Sequence, residues 1–121
     1  MDKIVKFYDT NALLELKEDI LKDDFYISTT TLFELEHIKT SRNKDELIKY
    51  NARKVIHILD DNPDKYNIVV YDKNIKELFV DGYGLIESPD ICICACAKTV
   101  SDVVFVTNDL CCKMIAKNVF D

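Results

Sequence analysis

The chain has 121 residues, 31% of them charged, with a formal net charge of -6, two glycines, two prolines and five cysteines. That length suits one domain with a single core, and the acid excess excludes a molecule that gathers nucleic acid by its overall charge, so any such binding must be local. No apolar run reaches the ~18 residues of a membrane span, the opening MDKIVKFYDT lacks a signal peptide's apolar centre, and an odd number of cysteines fits reduced thiols better than a disulfide framework, so a cytoplasmic protein without bridges is expected.

Ile4 to Tyr8 is dense in β-formers and reads as a buried strand that stops at Asp9. Asn11 to Leu21 then carries Leu13, Leu14, Leu16, Ile20 and Leu21 as a helical stripe, fraying at Lys22, Asp23 and Asp24. Phe25 to Ser28 is a second short strand, after which Thr29 to Thr31 offer caps for a helix bearing Glu34, Glu36 and Lys39. Asn43 and Glu46 have the spacing of a capping box for the longest helix, which runs to Leu59 and stops at Asp60, Asp61, Asn62, Pro63 and Asp64. A strand from Asn67 to Tyr71, a short helix near Ile75 to Val80 and a loop at Gly82 and Gly84 follow. Ser88, Pro89 and Asp90 read as cap, first-turn proline and first-turn acid, so ICICACAKT is expected to be helix despite its strand-like alternation. Strand Val103 to Thr107 and helix Leu110 to Asn118 complete a β-α-β-α order. The expected fold is α/β, three layers around a mostly parallel sheet of four to five strands, filling residues 1–121 as one domain.

Near each junction of strand and helix stands a carboxylate: Asp9, Glu34 and Asp109, with Asp90 opening a further helix. Singly, Asp9 and Asp109 are explained as helix caps and Asp90 by the helix dipole; Glu34, flanked by Leu32, Phe33 and Leu35, is harder to dismiss. Jointly they imply a shared crevice, because ligands bind at the carboxyl ends of strands in an open parallel sheet. Converging carboxylates repel unless protonated or joined by a hard cation, and magnesium or manganese is the natural partner. Asn11, Thr107 and Asn108 lie in the same turns and are candidates to hydrogen-bond these acids, or to serve as ordinary turn residues.

These segments, YDTN with Asp9, TTLFELEHIK with Glu34, PDICICACA with Asp90 and VTND with Asp109, resemble the four motifs of the PIN-domain nucleases, over nearly the whole chain. Glu34, Glu36, Lys39 and the Ala52-Arg53 pair are more narrowly similar to the PIN domain at the front of PhoH-type ATPases, although no G-x-x-x-x-G-K-[ST] loop is present here. The resemblance implies metal-dependent endonucleolytic cleavage of single-stranded RNA, with Asp9, Glu34, Asp90 and Asp109 as ligands of magnesium or manganese in a two-metal hydrolysis. It further implies a possible homodimer, an antitoxin partner, or a covalently linked ATPase domain beyond this chain. Two features depart from the pattern: Leu110, Cys111 and Cys112 stand where some members have a further acid, and a last edge strand is missing. A non-catalytic binding module and the toxin of a toxin-antitoxin pair are therefore the rival readings. Phosphatases of the haloacid-dehalogenase type need a second Asp where Asn11 stands.

Substrate would lie on a local basic strip, for which Lys39, Arg42 and Arg53 are the candidates, with Lys44, Lys49 and Lys54 nearby. An ordinary solvated helix face has the same composition. The cysteines lack zinc-site spacing and are expected to pack as small apolar residues; His37 and His57 are expected to be partly exposed.

Overall fold

The computed structural model describes residues 4–120, the side chains of Cys111 and Phe120 excepted. Strand β1 (Val5–Tyr8) lies between β2 (Asp24–Ser28) and β4 (Val103–Val106), and β3 (Tyr66–Val69) lies outside β2, giving a four-stranded parallel sheet in the order β3-β2-β1-β4. Val5 stands opposite both Asp24 and Val103, and Phe25 opposite Tyr66. Side chains alternate across the pleat. Tyr8, Phe25 and Ile27 point into one core with Leu13, Leu35, Val55 and Leu59, while Phe7 points into the other with Ile93 and Cys96. Both faces of the sheet are covered, which is why the strands read as nearly unbroken apolar runs.

Around the sheet run α1 (Thr10–Leu16), α2 (Thr29–Thr40), α3 (Glu46–Asp61), α4 (Lys73–Ile75), α5 (Pro89–Lys98) and α6 (Leu110–Ile115). Wider π-turns extend α4 through Lys76–Val80 and α6 through Ala116–Phe120. The helix expected from Asn11 to Leu21 is broken. Lys17 takes φ 52, and a 3-10 segment, Lys17–Lys22, follows it and drops Ile20 into the core. The break turns the chain back in time for Asp24 to pair in register with Val5.

The capping box expected at Asn43 and Glu46 is also displaced: Asp45 caps α3, accepting from Leu47 N–H at 2.7 Å, while Asn43 N–H donates to Ser41 Oγ. A carboxylate outcompetes a neutral amide for the positive end of a helix. β3 ends at Val69 rather than Tyr71, because Tyr71 N–H leaves the ladder to bond Thr29 Oγ1 at 3.0 Å. β4 likewise stops at Val106, one residue short of Thr107.

Helix α5 begins as its sequence dictates, with Ser88 Oγ accepting from Ile91 N–H at 3.3 Å and Pro89 in the first turn. Ile91 to Cys96 are all buried, so this helix is apolar all round and sits inside the molecule. Cys94 Sγ lies 3.1 Å from Cys112 Sγ, and Ser28 Oγ donates to Cys96 Sγ at 3.4 Å. These small thiols let α5 approach both α6 and the sheet closely. Among the described residues no helix is long and apolar enough to cross a membrane.

The chain leaves β1 toward β2 and β3, then crosses back so that β4 pairs with the opposite edge of β1. The carboxyl ends of β1 and β4 therefore flank the topological switch point of the sheet, where a crevice opens by construction.

Candidate active site

Asp9 is the first residue past β1, and its N–H still reaches Val106 O at 3.2 Å, so the adjoining strands fix its backbone. Its side chain is only 3% exposed. Oδ1 accepts from Ala12 N–H at 2.8 Å as the cap of α1, and Oδ2 accepts from the Thr107 hydroxyl. The same threonine oxygen accepts from Asp109 N–H at 3.0 Å, and Asp109 Oδ1 accepts from Cys112 N–H at 2.9 Å to cap α6. One hydroxyl thus fastens the segments carrying Asp9 and Asp109 to each other.

Glu34 comes from the second turn of α2, where Thr10 holds it: the Thr10 hydroxyl donates to Glu34 Oε1 at 2.6 Å, and its oxygen lies 3.2 Å from Thr31 Oγ1 in a further hydrogen bond. Asp90 is delivered by the first turn of α5. A cleft of about 430 Å³ opens between these elements, with Asp9, Glu34 and Asp90 on its wall together with Asn11, Phe33 and Lys44.

Asp109 does not line this cleft, though its charge acts on Asp9 and Asp90. Burial raises the Asp9 carboxyl above its ordinary range, with Thr107 and Ala12 opposing and the Asp109 charge adding. Burial also raises Glu34, where the Thr10 hydrogen bond opposes and the charges of Asp90 and Asp9 add. Asp90 is raised by burial and then by Asp109 and Asp9. Each of these three carboxyls is raised in part by at least one neighbouring acid, and among the described residues no Lys, Arg or His forms an ion pair with Asp9, Glu34, Asp90 or Asp109.

That donor set, oxygen only and unneutralised, suits a hard divalent cation in its chemistry. It is not a finished cage, since among the described residues no three His, Cys, Asp or Glu side chains stand ready to hold a metal. Asp9 and Asp109 each spend an oxygen on a helix cap, and like charge opposes closer approach.

Of the supporting residues expected from sequence, Thr107 bonds Asp9, and Asn11 is exposed on the cleft wall. Asn108 turns elsewhere, its amide donating to Glu15 Oε2 on α1. Lys39 pairs with Glu36 at 2.8 Å, Arg42 and Arg53 are exposed, and none of these three lines the cleft. Lys44, named with the basic strip, does line it, as do His37, expected only as a partly exposed helix residue, and Thr10 and Phe33, to which sequence reasoning assigned no site role. Thr10 had a signal in standing beside Asp9, but a threonine there reads equally as a helix start.

The PIN domain family matches residues 7–119, a stretch that contains Asp9, Glu34, Asp90 and Asp109. No curated protein matches the chain. Among solved structures, it is similar to a crystal structure of VapBC2 from Rickettsia felis bound to a DNA fragment from their promoter, at 18% identity over 93% of each chain with a TM-score of 0.56. That likeness is one of fold. The family match covers nearly the whole chain, and this protein belongs to the PIN domain family.

Proposed function

We propose that the protein is a divalent-cation-dependent endoribonuclease that cleaves single-stranded RNA in the cytoplasm. One observation carries this reading: Asp9, Glu34 and Asp90, from three separate segments, line one cleft, burial and then neighbouring acid charges, Asp109's among them, hold their carboxyls above the ordinary range, and no basic side chain pairs with these acids among the described residues. Asp9, Glu34, Asp90 and Asp109 would hold magnesium or manganese, whose chemistry when bound is to neutralise phosphate charge and make water a nucleophile at neutral pH. The protein's own residues do the positioning. Thr107 orients Asp9 Oδ2, Thr10 orients Glu34 Oε1, and the Thr107 hydroxyl and Ala12 N–H oppose the burial that raises the Asp9 carboxyl. Hydrolysis on this scheme leaves 5'-phosphate and 3'-hydroxyl ends.

The test is turnover of end-labelled single-stranded RNA with manganese. Cleavage by the native protein, loss of it with chelator, and loss of it in Asp9→Asn support the reading. A 2',3'-cyclic phosphate product rules out the hydrolytic route, and RNA bound but never cut leaves the non-catalytic module instead.

A second reading, the toxin of a toxin-antitoxin pair, is favoured by the likeness to VapBC2. On it, expression of the native chain arrests growth and expression of Asp9→Asn does not. A homodimer, and a linked ATPase domain of the PhoH type suggested by Glu34, Glu36, Lys39 and Ala52-Arg53, rest on sequence resemblance alone.

A further inference from the structure

Helix α2 turns two faces to two environments. Thr31 and Leu35 are fully buried against the core. Thr30, Phe33, Glu34, His37 and Ile38 follow the i, i+3, i+4, i+7, i+8 spacing that normally marks a buried stripe, yet they line the acidic cleft. Within that stripe Phe33 is 75% exposed, directly beside Glu34 in sequence. Adjacent Cα atoms are 3.8 Å apart, so an aromatic face stands within one nucleotide's reach of the acid.

Lys44, from the loop joining α2 to α3, lines the same cleft. Lys39, Lys49 and Lys54 are engaged by Glu36, Glu46 and Glu18, whereas Lys44 forms no ion pair among the described residues. The cleft therefore offers an aromatic platform and an uncommitted cation around a nest of carboxylates.

We propose that Phe33 is the stacking seat for the nucleobase next to the scissile phosphate, and that Lys44 holds the neighbouring backbone phosphate. This rests on the ribonuclease reading and assigns it two substrate contacts. A chain of net charge -6 with acids in its cleft cannot hold RNA by its overall charge, so beyond the local Lys44 contact affinity must come from contacts indifferent to that repulsion. Stacking is such a contact, and every base has a π-face. About 430 Å³ lies near the small end of ligand clefts and admits a nucleotide rather than a duplex. Bases in a duplex have both faces covered, so Phe33 selects unpaired strands.

The chain contains no tryptophan, so Phe33→Trp installs a single indole at this seat. A fluorescein-labelled oligoadenylate and an abasic strand of equal length are titrated in calcium, following indole emission and label anisotropy together. We expect oligoadenylate to quench the indole at least twofold and the abasic strand to leave it unchanged. Phe33→Ala, whose side chain is mostly solvated, weakens oligoadenylate binding about tenfold or more, and Lys44→Ala weakens both strands alike. Oligoadenylate bound by anisotropy with the indole unquenched overturns the seat and leaves the ribonuclease reading intact; Phe33 is then a surface for a partner protein. If the native protein neither binds nor cuts any RNA with a divalent cation present, the ribonuclease reading falls, and the seat with it.

Discussion

Thr107 joins two carboxylate segments with one hydroxyl, donating to Asp9 and accepting from Asp109 N–H. Thr107→Val keeps the shape and strands both partners, so it should cost about 1–3 kcal/mol of stability and weaken manganese binding about 10- to 100-fold. Titration calorimetry checks this; manganese bound at native strength by the variant would remove Thr107 from the site. Glu34 tests the electrostatics. Its carboxyl is raised above its ordinary value by burial and by Asp90 and Asp9, so the folded state binds the proton more tightly than the unfolded state. Stability from this source is therefore complete below the ordinary carboxylate range and is lost as pH rises through the raised value. Metal-free Glu34→Gln, which still accepts from Thr10, should melt a few degrees above the native protein at pH 7 and lose that advantage near pH 4. An advantage unchanged across that range would mean that charge is not its cause. The meeting of Asp9, Glu34 and Asp90 on one cleft was legible because carboxylates recur near the starts of helices in a β-α chain, whereas sequence did not show that Asp109 stays off that wall. Phe33 was not legible: beside Leu32 and Leu35 it reads as core, and only the helix's orientation shows that it faces the cleft.

At the scale of elements, Lys17 holds φ 52, a conformation that L side chains adopt only under strain. Lys17→Gly should stabilise the fold by about 1 kcal/mol, read as a higher denaturant midpoint; a lower midpoint would show that the lysine side chain contributes packing that outweighs the strain. Helix α5 was readable from Ser88, Pro89 and Asp90 against a misleading alternation, because a cap and a first-turn proline are local chemistry. The division of Asn11 to Leu21 was not, because the apolar spacing continues through Lys17 and the break serves strand register, a demand made by residues far along the chain. The cap of α3 was missed by two residues for a smaller reason, competition among Asn43 and Asp45 for the same helix end.

For the whole molecule, sequence order implied a parallel sheet, and the structure supplies what order alone does not: β1 sits centrally between β2 and β4, which sets the switch point beside Asp9. Charge acts at this scale too. With a net charge of -6, RNA affinity should fall only gently with salt, at about -0.7 in log-log slope per phosphate neutralised. Lys44→Ala should reduce that slope by about one such unit, and a slope unmoved by the variant would take Lys44 off the phosphate. The measurement that bears most directly on the account is anomalous diffraction from crystals soaked in manganese. The account predicts a peak bounded by the carboxylates of Asp9, Glu34, Asp90 and Asp109, absent in Asp9→Asn. Density without any peak between those side chains at saturating manganese, or with the ion held elsewhere, contradicts it.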